Sequence, residues 1–179
     1  MTPALCDPLV RDMGVADLSA VLAIDAKVYP KPWSLSFFRQ QLASPETRIN
    51  RVAELDGRVV GHAGLMMVAH QGHVTTVAVH PDVQGSGIGT RLMADLCRTA
   101  VERRLATMIL EVRMSNLRAR EFYRQFGFAP VGAQSGYYSD TGEDALVMQV
   151  DDLSAPGFMA RLEATADAIA STGGGLGSG

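Results

Sequence analysis

A glycine-rich segment, Gln84-Gly85-Ser86-Gly87-Ile88-Gly89, lies between a predicted strand and a predicted helix. Glycine lets the backbone approach a ligand closely, and free N–H groups at a helix N-terminus point at anionic oxygens. The segment therefore favours a phosphate or pyrophosphate ligand. A P-loop would need Gly-Lys-Ser/Thr at its end, and a dinucleotide fingerprint would need glycine or alanine where Thr90 stands. An ordinary glycine-rich turn stays open as a further interpretation.

Two residues farther along the chain have side chains suited to proton transfer. Glu111 lies in an otherwise apolar run, and Tyr123 follows twelve residues later in a predicted helix. Acyl transfer to an amine needs a base for the amine's proton and benefits from an acid for the leaving group. Structural interpretations are also open, because Glu111 could form an ion pair with Arg113 on the same strand face. Tyr123 could simply pack in the apolar stripe of its helix.

Other kinds of site are not favoured by the sequence. Four histidines, His62, His70, His73 and His80, lie near the middle of the chain. Their spacing matches neither HExxH nor a zinc-finger pattern, so we expect no metal. The two cysteines lie far apart in the sequence, which argues against a disulfide framework.

Charge and hydropathy limit the partners. The 16 Lys and Arg residues against 19 Asp and Glu give a net charge of −3 without a basic run, so we expect no nucleic-acid partner. No window approaches the ~18 continuous apolar residues of a membrane span, so no membrane partner is expected. The N-terminal segment lacks the basic and apolar regions of a secretory signal, which predicts a cytoplasmic protein.

Hydrophobic periodicity predicts the elements that position these residues. Asp56-Gly57 predicts a two-residue hairpin and Gln71-Gly72 the next turn, so three neighbouring strands should be antiparallel. The predicted strands are Leu9–Asp12, Arg48–Leu55, Arg58–Val68, His73–Val79, Thr107–Val112, Phe128–Val131 and Ala145–Val150. The predicted helices are Asp17–Val28, Leu35–Ala43, Ile88–Arg104 and a segment from Asn116 to Gly127. The mixture predicts an α/β fold with a mixed sheet of six or seven strands and about four helices.

The end of the chain departs from this pattern. We expect one domain over residues 1–150 and a C-terminal extension over residues 151–179. Within the extension, Gly157–Ala170 has apolar residues at helical spacing, and a glycine-rich tail follows it.

One long stretch resembles a known family. Leu110–Phe128, LEVRMSNLRAREFYRQFGF, resembles the signature of the RimI-type ribosomal-protein-alanine N-acetyltransferases of the GNAT superfamily. Gln84–Gly89 also fits the superfamily's pyrophosphate loop, Gln/Arg-x-x-Gly-x-Gly/Ala. Further matches are Pro32-Trp33-Ser34, Gly136-Tyr137-Tyr138 and Glu143-Asp144-Ala145. The resemblance covers about Leu9 to Val150.

The resemblance implies a GNAT fold, in which two central strands splay and acetyl-CoA is the co-substrate. The pantetheine would lie along one splayed strand, the glycine loop would hold the pyrophosphate, and Asn116 would contact the cofactor from the start of its helix. The cofactor-binding residues implied in this way are Val77, Ala78, Val79, Gly85, Ser86, Gly87, Ile88, Gly89, Thr90 and Asn116.

The resemblance also implies a reaction and roles for particular residues. Glu111 would be the general base, acting through water, and Tyr123 the general acid for the thiolate. Trp33, Tyr137 and Tyr138 would line the acceptor site, although core packing would also explain them. The implied acceptor is the α-amino group of a protein, namely the N-terminal alanine of a small-subunit ribosomal protein. Acetylation of a small amine or a lysine, and a non-catalytic acyl-CoA-binding module, are the alternatives.

Overall fold

The structure is a computed structural model that describes residues 7–172, so the predicted glycine-rich tail lies outside the described residues from residue 173 onward. Its strands are β1 (Leu9–Asp12), β2 (Arg48–Leu55), β3 (Arg58–Val68), β4 (Gln71–Val79), β5 (Thr107–Arg113), β6 (Ala129–Tyr138) and β7 (Glu143–Val150). Its α-helices are α1 (Leu18–Val28), α2 (Leu35–Leu42), α3 (Ile88–Glu102), α4 (Leu117–Gln125) and α5 (Pro156–Thr172). Among the described residues, no helix is both long enough and apolar enough to cross a membrane.

All seven strands form one sheet in the order β1-β2-β3-β4-β5-β7-β6. Neighbours are antiparallel except β4 and β5, which are parallel and pair only between Gln71–His73 and Thr107–Ile109. Beyond those three pairs the two strands have no further ladder and diverge. The predicted GNAT-type mixed sheet with splayed central strands is therefore confirmed.

The first hairpin turn forms where the sequence predicted it, because Asp56 and Gly57 both have positive φ, +50° and +76°. The second prediction was wrong. Gln71 and Gly72 already belong to β4, and the turn is made by Ala69 and His70, with Ala69 at φ +51°. Gly72 serves packing instead, since a Cβ there would lie 3.0 Å from side-chain atoms of both Leu65 and Leu105.

The sheet separates two groups of buried side chains. Along β2, Val52 faces the smaller group beside α1 and α2, whereas Ala53 faces the larger group beside α3, as strand alternation requires. A buried hydrogen bond of 2.6 Å between Asp25 of α1 and His62 of β3 fastens the first helix to the sheet.

The segment after β7 shares the larger core. Leu153, Phe158 and Leu162 are 1%, 5% and 1% exposed and belong to the same cluster as Phe126 and Phe128. Helix α5 therefore packs on the folded domain, and the described part of the predicted extension is continuous with its core.

Candidate active site

A cavity of about 780 Å³ opens where β4 and β5 diverge. Its walls come from the unpaired part of β4, the end of β5, the segment that follows α1, the end of β6 and the inner face of α4. The wedge exists because the β4–β5 ladder stops after three residue pairs. The cavity is lined by five of the residues that the resemblance named, namely Glu111, Tyr123, Trp33, Tyr137 and Tyr138.

Glu111 makes a short hydrogen bond across the wedge. Its Oε2 lies 2.5 Å from Nε2 of His73, and the two side chains are 12% and 27% exposed. The pairing follows from the register, since His73 lies opposite Ile109 and Glu111 is two residues farther along β5. A carboxylate oriented in this way can accept a proton in the cavity.

Arg113 does not pair with Glu111, the alternative that the sequence left open. Its guanidinium lies 2.7 Å from Asp140 and 3.5 Å from Glu143, both in or beside the β6–β7 connection. It also stacks on the ring of Tyr138, with Cζ 4.0 Å from the ring centroid. These contacts hold the β6–β7 connection over one side of the cavity.

Tyr123 lines the cavity from α4 and also packs against Phe122 and Phe128, with ring centroids 5.1 Å and 6.1 Å away. Burial raises the pKa of Tyr123 well above its ordinary value, with a further contribution from the neighbouring Tyr29 and Tyr138 hydroxyls. The hydroxyl therefore keeps its proton at neutral pH, as a general acid must. Both sequence interpretations, packing and proton donation, are compatible with this position.

The mouth of the cavity is formed by two segments distant in sequence. Nζ of Lys31, after α1, lies 3.3 Å from Oγ of Ser139, after β6. Trp33 lies beside them and packs on Phe37 at 4.5 Å between centroids. Burial raises the pKa of Tyr138 to about 12 and also raises that of Tyr137, so both present neutral hydroxyls.

The glycine segment lies at the start of α3, outside the residues that line the cavity. Gly85 and Gly87 have φ of +80° and +85°, which side chains other than glycine rarely adopt. Gly87 is the N-cap residue of α3, and no side chain caps the amides of the first turn. Helix N-termini with free amides bind anions, so this loop fits a pyrophosphate.

The backbone of Val77, Ala78 and Val79 runs along the unpaired edge of β4, between the cavity and the glycine loop. Two of its carbonyls already accept side-chain hydrogen bonds, Val77 from Tyr29 at 3.3 Å and Val79 from Gln84 at 3.1 Å. A pantetheine along this edge would therefore compete with those two side chains for the carbonyls. Ala78 offers no backbone group to this edge, because the His80 amide two residues on bonds to Val60 of β3 and the carbonyls of Val77 and Val79 turn the other way.

Asn116 caps α4 and also lines the cavity. Its Oδ1 accepts a 3.0 Å hydrogen bond from the Ala119 amide and so caps α4. Its position among the lining residues leaves a cofactor contact open to it.

Sequence reasoning missed His73, Tyr29, Lys31 and the Arg113 pairs. No local pattern marks these residues, because each acts through a partner at least 27 positions away. The register between β4 and β5 would have identified His73, but periodicity does not reveal the register of a parallel pair.

Comparisons with known proteins identify the family of this chain. The profile of the Acetyltransferase (GNAT) family matches residues 18–128. A Bacillus subtilis relative is 37% identical over 145 residues, covering 79% of this chain and 93% of its own length. The [ribosomal protein bS18]-alanine N-acetyltransferase of Escherichia coli is 30% identical over 141 residues, covering 78% of this chain and 94% of its own.

Solved structures show the same fold. The crystal structure of the ribosomal-protein-S18-alanine N-acetyltransferase from Escherichia coli has a TM-score of 0.75 and 28% identity, covering 82% of this chain and 94% of that one. An acetyltransferase from Salmonella typhimurium, solved with its cofactor acetyl-CoA, has a TM-score of 0.68 and 20% identity and covers 80% and 93%. The chain therefore belongs to the GNAT family of acetyltransferases, among the relatives of the RimI-type ribosomal-protein-alanine N-acetyltransferases.

Proposed function

We propose that this enzyme transfers the acetyl group of acetyl-CoA to the α-amino group of a protein, with the N-terminal alanine of a small-subunit ribosomal protein as its acceptor. The observation that carries the proposal is the pairing of Glu111 with His73 in a wedge that Tyr123 also lines. A base and an acid thus face one cavity, and acyl transfer to an amine needs the base and benefits from the acid.

Glu111 is the group that takes up the amine's proton. The acceptor arrives largely as an ammonium ion, and only its neutral form has a lone pair to attack the thioester carbonyl. Glu111, directly or through one water molecule, removes the proton, while the hydrogen bond to His73 fixes the orientation of the carboxylate. His73 is a positioning residue in this scheme.

Tyr123 is the group that gives a proton to the leaving sulfur. Acetyl-CoA supplies the activated acetyl thioester; when the carbon–nitrogen bond has formed, the carbon–sulfur bond breaks. The thiolate then takes the proton of the Tyr123 hydroxyl, which burial keeps in its protonated form. The new amide nitrogen gives its remaining extra proton to the Tyr123 phenolate, and the proton on Glu111 goes to solvent, which restores the starting state.

The cofactor would be held by the residues that the resemblance named. The amides of the glycine loop and of the first turn of α3, from Gly85 to Thr90, would bind the pyrophosphate, and the left-handed backbone at Gly85 and Gly87 supports this. The β4 edge from Val77 to Val79 would bind the pantetheine, with the amides of Val77 and Val79 and whichever carbonyls Tyr29 and Gln84 release. Asn116 would contact the cofactor beside Tyr123.

An N-terminal amine suits this site better than a lysine. An α-amino group has a pKa of about 7.7–8.0, against about 10.4 for lysine, so at neutral pH its neutral form is about 300 times more abundant. A single carboxylate base can deprotonate the remainder without extreme tuning. The aromatic residues at the mouth, Trp33, Tyr137 and Tyr138, would contact the first residues of the peptide.

The test uses a peptide panel with mass-spectrometric assignment of the acetylated nitrogen. A peptide that begins with alanine and contains one internal lysine should be acetylated only at its N-terminus, and the same peptide with a blocked N-terminus should stay unmodified. Glu111→Gln should bind acetyl-CoA but turn over about 10²–10⁴ times more slowly. Acetyl-lysine products, or a Glu111→Gln enzyme at the wild-type rate across pH, would contradict the proposal.

A further inference from the structure

Helix α5 reaches the C-terminal end of α4, the helix that carries Tyr123. The Thr165 hydroxyl lies 3.2 Å from the carbonyl oxygen of Gln125 and 2.9 Å from that of Arg161 in its own helix. Gln125 is the last residue of α4, so its carbonyl has no partner inside the helix. The single hydroxyl proton of Thr165 is shared between the two carbonyls, so Thr165 gives the end of α4 a donor that the helix itself lacks.

Arg161 covers the same end of α4. Its guanidinium lies directly over Gly127, and a Cβ built on that residue would overlap Nη1. Gly127 has φ +90° and ends the helix in the left-handed conformation. The positive charge is therefore close to the C-terminus of α4, where the helix dipole favours a cation.

The turn under α5 is directly connected to Tyr123. The carbonyl of Tyr123 accepts hydrogen bonds from the amides of Phe126, at 3.1 Å, and Phe128, at 3.3 Å. Phe128 is also a ring neighbour of Tyr123 and shares the larger core with Phe158 and Leu162 of α5. A shift at this turn would therefore move the backbone that places the Tyr123 hydroxyl.

We infer that α5 is a positioning element for the reaction, in which Thr165 and Arg161 hold the end of α4 so that Tyr123 stays aligned with the leaving sulfur. The inference rests on the proposed role of Tyr123 as general acid. It assigns a role in the reaction to α5, which lies beyond residue 128, where the match to the family profile ends.

The test combines Thr165→Val and Arg161→Met, which remove the hydroxyl and the charge but keep most of each side chain's bulk. We expect kcat to fall about fivefold to twentyfold, below the ~10²-fold that a misplacement of about 1 Å can cost. The KM for acetyl-CoA should stay the same, because Thr165 and Arg161 contact the end of α4, whereas the glycine loop lies at the N-terminal end of α3. Glu163→Gln, an exposed residue of the same helix, is the matched control and should leave kcat unchanged.

A double-mutant cycle with Tyr123→Phe separates positioning from a general structural effect. In the Tyr123→Phe background the α5 changes should have no further effect on kcat, because the hydroxyl they position is gone. An equal fall in both backgrounds, or no fall in either, would overturn the inference. A Tyr123→Phe enzyme at the wild-type rate would instead overturn the proposed acid, and the inference with it; that outcome is visible in the single variant alone.

Discussion

Leu162→Ala tests whether α5 is part of the folded core. Leu162 is 1% exposed and lies in the same cluster as Phe126 and Phe128. Buried Leu→Ala changes cost about 2–5 kcal/mol, because the lost burial is added to the cost of the cavity. For a domain of this size each kcal/mol lowers Tm by about 2–4 °C. A mid-range loss of about 3 kcal/mol therefore predicts a Tm lower by about 6–12 °C.

The measurement is thermal unfolding followed by circular dichroism, with Glu163→Ala as the control on the neighbouring exposed position. Surface changes of that kind usually stay within about 0.5 kcal/mol. Truncation after Val150 should go further, because it removes Leu153, Phe158 and Leu162 together, each worth about 1.5–3 kcal/mol of burial. Their sum is comparable with the whole stability of a domain, about 5–15 kcal/mol, so the truncated chain should not fold. A Leu162→Ala protein that melts with the control, or a folded truncated chain, would refute this reasoning.

Three further outcomes are expected. Asp25→Ala should lower the free energy of unfolding in urea by about 1–3 kcal/mol, because it leaves the buried His62 ring without a partner on either nitrogen; an unchanged urea midpoint would speak against it. Gly85→Val should weaken acetyl-CoA binding at least tenfold by calorimetry, whereas Gly57→Val, at a similar φ of +76° in a distant turn, should not. Equal affinities of the two variants for acetyl-CoA would show that the loop is not part of the binding site. The rate with an alanine peptide should rise with pH up to about 8 as the amine deprotonates and should not fall before about pH 10, because burial raises the pKa of Tyr123 and preserves the acid; an earlier fall would contradict that.

Most of the fold could be predicted from local sequence patterns. The first hairpin, helices α3 and α4 and the glycine loop each depend on residues close together in the sequence, so turn residues and periodicity predict them directly. The prediction at Gln71-Gly72 was wrong because burial, not turn formation, requires the glycine. The strand β6 was predicted as Phe128–Val131 but runs over Ala129–Tyr138, because its small residues, two register shifts and exposed side chains conceal it from periodicity.

The site was less predictable than the fold, because its proposed base is oriented by a long-range contact. Glu111 was identified as a candidate from its apolar strand, but its partner His73 lies 38 positions earlier. The sequence offered Arg113 as an alternative partner, and the structure gives that guanidinium to Asp140 instead. Pairing across a parallel register depends on where two distant strands meet, which neither strand's own sequence specifies.

Some contacts of the site join residues close in sequence, and others join distant residues. We expect the local contacts to determine the rate and the long-range contacts to determine which acceptor is bound. Glu111 and Tyr123 are joined by a short connection that local bonds fix, including the Asn116 cap and a 3.0 Å hydrogen bond from Arg120 to the Met114 carbonyl. The acid and the base therefore keep their relative positions when residues at the mouth of the cavity move or are substituted. The mouth itself depends on a contact between residues 31 and 139, which are 108 positions apart. Substitutions at the mouth should accordingly change which peptide is bound, and KM with it, whereas substitutions of Glu111 or Tyr123 should change kcat.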